Sequence, residues 1–106
     1  MSRTDRESLA DALMHFDKAT AYARVSALDD KTIDAVCMRI SAAIDSLTGL
    51  TPTLRDDLFG DMWPATRGMR NRIAHTYSLV EASVVSATVT SDVPLICARI
   101  REHLES

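Results

Sequence analysis

Residues 29–49 read DDKTIDAVCMRISAAIDSLTG. Within them Ile33, Val36, Ile40, Ile44 and Leu47 recur every three or four positions, which lays one apolar stripe along an α-helix. Asp29-Asp30 can cap its start, because a short carboxylate accepts from the free amides of a first turn. Gly49 is a natural C-terminal stop. On the N-terminal side, Leu9, Leu13, Phe16, Thr20 and Ala23 repeat at the same spacing. They predict a first helix from the capping box Thr4-Asp5-Arg6-Glu7 to about Ala27. Two long amphipathic helices with a short link form an antiparallel hairpin.

On the C-terminal side, Pro52 opens a shorter helix through Leu54 and Leu58 that Gly60 ends. Pro64 sits in the first turn of a further helix, where its missing amide costs little. This helix should lose regularity near His75. The β-branched run Val84, Val85, Thr88, Val89 and Thr90 would suit a strand, but it has no partner strand, so a short helix followed by a loop is expected. Ser91 or Asp92 then starts a last helix with Leu95, Ile96, Ile100 and Leu104 facing inward. The expected fold is all-α: an up-down helical bundle with one or two extra short helices, residues 1–106 forming a single domain.

Length and composition fit that reading. A chain of 106 residues has room for one modest core and no interior to spare for a large cofactor. With 5% aromatics, three Gly and three Pro, it lacks the turn residues that a β-sandwich needs. The net charge of −3 argues against a general nucleic-acid coat but allows a local basic cluster. Cys37 and Cys97 form no Cys-x-x-Cys pair and occupy apolar helical positions, so both read as reduced core residues. No N-terminal segment has the apolar length of a signal peptide or membrane span, so a cytoplasmic protein without membrane association is expected.

Chemistry concentrates in one place. Arg67, Arg70 and Arg72 fall within six residues and are followed by His75 and Tyr77. Cleaving RNA through its own 2′-hydroxyl needs a base for that proton, an acid for the leaving oxygen and a cation at the charged phosphorane. His is suited to either proton transfer near neutrality, and Arg offers a planar fork of donors that matches phosphate oxygens. The scheme requires no metal and no cofactor. Geometry sets a condition: on a regular helix residues five apart are separated by about 140°, so Arg70 and His75 share a face only if the helix ends or distorts near Ala74. Asn71 and His75, four apart, share one without distortion. A single His cannot be acid and base at once, and a two-fold dimer with two copies of His75 in one cleft removes that difficulty. Gly68, in mid-helix, would permit close approach of the second backbone. A homodimer with a shared site is therefore expected.

Gly68-Met69-Arg70-Asn71 followed by Ile73-Ala74-His75-x-Tyr77 resembles the signature of HEPN-domain RNase toxins encoded beside a minimal nucleotidyltransferase antitoxin. The helix from Asp29 to Leu47, Trp63 ahead of the motif and the closing Val93-Pro94-Leu95 helix resemble the same pattern, so the likeness covers most of the chain. It implies a dimeric, metal-independent endoribonuclease of a type VII-like toxin–antitoxin pair. Arg70 and His75 would act on the scissile phosphate, and Asn71 would orient them or hold phosphate. Tyr77 would be the residue to which the cognate nucleotidyltransferase attaches AMP, adding bulk and negative charge that repel RNA. One departure concerns the second helix, where the family often carries Gly-Glu and this chain has Ala42-Ala43.

Blander readings stand beside these. Taken alone, His75 is a helix-terminal His favoured by the dipole, and Tyr77 a half-buried aromatic. Arg67 and Arg72 are solvated cations that can also steer RNA. Trp63 reads as packing rather than a base-stacking platform. His15 and His103 have no second ligand at i+3 or i+4, so neither reads as a metal ligand. Two rival functions remain: a non-catalytic HEPN module that binds a minimal nucleotidyltransferase, or a regulatory partner of that enzyme. His75→Ala separates them from the RNase, because binding survives the change and cleavage does not.

Overall fold

Ser2, not Thr4, opens the first helix. In the computed structural model the backbone amide of Asp5 donates to Ser2 Oγ at 3.0 Å, and α1 runs Arg3–Val25. The expected capping box of Thr4 and Glu7 is replaced by the Ser2 cap: Glu7 pairs with Arg3 at 2.9 Å, and the Asp5 carboxylate turns to Thr51. The structure describes residues 2–25, 29–76 and 82–105, with the backbone alone at 25, 72–76 and 82. Ala27, the expected end of the first helix, lies outside the described residues.

Helix α2 spans Asp30–Thr48, with Asp29 Oδ1 accepting from the Thr32 amide at 2.9 Å as its cap. The apolar stripe read from the sequence is its buried face, joined by Cys37 and Ala43. Two cross-links fix the sense of the hairpin. Arg39 Nη1 donates to His15 Nδ1 at 3.0 Å, and Thr51, just past α2, bonds Asp5. Residue numbers rise on one helix as they fall on the other, so α1 and α2 are antiparallel. Helix α1, 23 residues and about 35 Å by helical rise, accounts for most of the molecule's 39 Å long axis.

Pro52 is the first residue of α3, Pro52–Phe59. Gly60 ends it at φ +46°, a left-handed conformation that a side chain would strain, and a 3-10 turn over Gly60–Met62 leads into α4, Trp63–Thr76. Helix α5, Ala82–Ala87, continues through one π-helical turn, Thr88–Asp92, into α6, Val93–Glu105. This corrects the expected loop after the short helix, and moves the start of the last helix from Ser91 or Asp92 to Val93. The hydroxyls of Thr88 and Thr90 donate back to the carbonyls of Val84 and Ser86, which lets β-branched residues sit in helical turns.

One core joins all six helices. Leu9, Phe16 and Ala19 of α1 meet Ile40, Ile44 and Leu47 of α2, with Phe59, Met69, Val85 and Val89 closing the sides. From α6 the inward residues are Val93, Ile96, Cys97 and Ile100. Leu95, expected inside, is 51% exposed: within α6 it lies about 160° around the axis from Val93, on the face opposite Cys97 and Ile100. Cys37 and Cys97 are free and buried, and burial, aided by Asp17, pushes the Cys97 thiol up to about 11. The stretch Ser83–Glu105 is long and apolar enough to cross a membrane by length and composition. Its apolar residues Val85, Val89, Ile96 and Ile100 belong to the core just described.

Asp5 ties the start of α1 to the start of α3. It is 5% exposed and accepts from the Thr51 amide at 2.9 Å and the Thr51 hydroxyl at 2.7 Å. Those two bonds stabilise the ionised form and hold its pKa below the ordinary carboxylate value of about 3.9. A carboxyl with a depressed folded pKa contributes stability that is present above the unfolded value and is lost as pH falls through the folded one. Thermal melts of wild type and Asp5→Asn should therefore differ most at pH 6–7, wild type being the more stable. The gap should close below about pH 4; a gap constant down to pH 2 would show that the charge plays no part.

Candidate functional site

The motif lies on α4, whose first turn accepts Pro64 and whose inner face is set by Thr66 and Met69, both buried. Thr66 adds a hydroxyl bond to the Met62 carbonyl at 2.9 Å. Trp63 anchors the start of the helix: it packs against the core, its ring centroid lies 6.1 Å from that of Phe59, and the Arg55 guanidinium sits 4.9 Å above it. That is the packing role expected of Trp63 rather than an exposed stacking platform.

Helix α4 continues past Ala74 through His75 to Thr76. The predicted loss of regularity near His75 is thus corrected; an unbroken hydrogen-bonded helix needs no break before residue 76. Within one chain the backbone positions of Arg70 and His75 are then about 140° apart around the axis and about 7.5 Å along it. Positions 67, 71 and 75 succeed each other at intervals of four and form one strip along the helix, with position 68 beside them. Arg67 and Asn71 are exposed on that strip, and a Cβ built on Gly68 would meet nothing within 4 Å. The side chains of Arg72 and His75, and Tyr77 altogether, lie outside the described residues.

Arg70 stands at the edge of the strip that faces α2. Its Nε donates to Asp45 Oδ1 at 2.9 Å and its Nη2 to Asp45 Oδ2 at 3.4 Å, a two-pronged contact between the helices. The hydrogen bonds to Asp45, and secondly its charge, raise the guanidinium pKa further above an already high value, so Arg70 is a fixed cation. The pair is open to water, with Arg70 34% and Asp45 52% exposed in their side chains, so it adds little to stability. What it does is hold a flexible side chain in one orientation.

Asp45 is the site residue that sequence reading misses. Ala43, in the stretch where a carboxylate was sought, is buried in the core, and the acid that reaches Arg70 comes two residues later. A signal was present: Asp45 breaks the apolar character of α2 one turn beyond Ala42. Its partner, 25 residues away, depends on how α4 packs on α2.

Among the described residues no three His, Cys, Asp or Glu side chains are grouped as a metal ion would require. The arrangement offers a fixed guanidinium, a neighbouring carboxamide, a second cation one turn earlier and an imidazole-bearing position on the same helix. Comparison with curated proteins gives no match, and neither does comparison with solved structures. A family model described as "Ribonuclease HepT-like" matches residues 7–103.

Proposed function

Because this chain belongs to the HepT-like ribonuclease family, we propose that it is a metal-independent endoribonuclease, the toxin of a toxin–antitoxin pair, with its centre on the outer face of α4. The observation that carries this reading is exposed Arg67 and Asn71, in helical line with backbone position 75, beside an Arg70 held by Asp45. Arg70 binds the non-bridging oxygens of the scissile phosphate and stabilises the phosphorane. One His75 accepts the 2′-hydroxyl proton as that oxygen attacks phosphorus. A second His75 protonates the 5′-oxygen as the phosphorus–oxygen bond breaks. The products are a 2′,3′-cyclic phosphate and a 5′-hydroxyl.

Two His75 side chains require two protomers, so the working unit is a homodimer with a shared cleft. The unbroken helix supports this reading, because the backbone positions of Arg70 and His75 in one chain are about 140° apart around the axis. Asn71 holds phosphate or orients the pair, and Arg67 and Arg72 draw RNA in, locally offsetting the net charge of −3. Tyr77 follows directly on α4, and AMP placed there by a cognate minimal nucleotidyltransferase would bring a negative phosphate to the cleft and neutralise the toxin in the cytoplasm.

The test is cleavage of a labelled single-stranded RNA by purified protein in excess EDTA, after mass spectrometry has verified an unmodified Tyr77. Cleavage that leaves 2′,3′-cyclic phosphate ends is the expected result. Absence of cleavage on several RNAs would sink the RNase reading. It would leave a non-catalytic module that binds the transferase, a role the acidic surface also suits.

A further inference from the structure

The Arg70–Asp45 contact fixes more than the position of a charge. A guanidinium can present two parallel N–H groups along either of two edges, Nε with Nη2 or Nη1 with Nη2. Asp45 takes the first edge, at 2.9 and 3.4 Å. The edge left for a second bidentate partner is the one at the tip of the side chain, directed along its length. Asp45 belongs to α2, whose buried face includes Ala43, Ile44 and Leu47 around it, so the carboxylate is mounted on a rigid element. Arg70 belongs to α4, which is anchored by buried Thr66 and Met69. Without the carboxylate, a solvent-facing Arg side chain has several rotamers and no reason to keep one of them.

Resting on the ribonuclease reading above, we propose that Asp45 is a positioning residue: it grips the Nε–Nη2 edge of Arg70 so that the Nη1–Nη2 edge meets the scissile phosphate. Asp45 touches neither substrate nor reacting atoms; it acts through Arg70. The same contact has an opposite reading, in which the carboxylate competes with phosphate for the guanidinium and restrains the enzyme. The two readings predict opposite signs.

The experiment is steady-state RNA cleavage by wild type, Asp45→Ala, Asp45→Asn, Arg70→Lys and the Asp45→Ala/Arg70→Lys pair, with melting curves for each. Loss of orientation should lower kcat of Asp45→Ala by about 10- to 100-fold, with KM within a few-fold. Asp45→Asn, which keeps one acceptor for Nε, should recover part of that loss. In the Arg70→Lys background Asp45→Ala should add little, because Lys has no fork to hold. A merely structural role would lower the melting temperature and act independently of residue 70. Active wild type with unchanged or faster Asp45→Ala overturns the positioning role and leaves the ribonuclease intact. Inactive wild type removes the ribonuclease, and the positioning role with it.

Discussion

His75→Ala is expected to lower kcat for RNA cleavage by roughly 10²- to 10⁴-fold, the usual contribution of a positioned proton-transfer group. The melting temperature should stay near that of wild type, because the strip of α4 that carries position 75 also carries exposed Arg67 and Asn71. A stronger form of the prediction uses mixtures. If each cleft requires His75 from both protomers, subunits exchanged between wild type and His75→Ala in equal amounts should retain roughly a quarter of the activity rather than half. Half the activity would mean that each protomer works alone and that one His suffices. Co-refolding followed by cleavage assays across mixing ratios reads the difference as a curve against a straight line.

Phe16→Ala should be the most damaging change to the fold. Phe16 is fully buried at the middle of α1, among the residues that meet α2. Truncating a buried Phe removes its transfer free energy and leaves a cavity, together about 3–5 kcal/mol. Against a total stability of about 5–15 kcal/mol, that is a large share. At about 4–8 °C per kcal/mol for a domain of this size, the midpoint should fall by at least about 12 °C. Leu95→Ala is the matching control: Leu95 is 51% exposed, so its loss should shift stability by no more than about 0.5 kcal/mol. Circular dichroism melts of the two variants decide between the observed core and the one read from sequence, which had Leu95 inside.

What could be read from the sequence divides by the range of the interaction. Helix α2 was legible in full because its stripe, its Asp29 cap and its Gly49 stop are decided within a turn or two. Pro52 and Gly60 bracketed α3 for the same reason. Asp5 and Asp45 were not legible as structural or site residues, because their partners Thr51 and Arg70 are 46 and 25 residues away and meet them only through helix packing. At the motif, residue types pointed to the chemistry, and helical arithmetic pointed to the conflict between Arg70 and His75. The sequence required the helix to end or distort near Ala74 if Arg70 and His75 of one chain were to converge, and the helix instead runs on to Thr76.

The π turn at Thr88–Asp92 acts as a vernier between two stretches of helix. Val85, Val89 and Val93, all buried, follow at strict intervals of four, a spacing that drifts by about 40° per step on a regular α-helix. The wider turn offsets that drift between Val89 and Val93 and helps keep the three valines on the core face. The length of this segment is therefore part of its fit. A one-residue deletion there would let an ordinary helix close up with Val85 and Val93 seven residues apart, only about 20° out of line, whereas a one-residue insertion would rotate everything before it by about 100° and carry Val85 off the core. Ala82–Ala87 follows the end of α4 after five residues. Chain length in this helix is bound to the fit of its buried face, and insertions belong elsewhere.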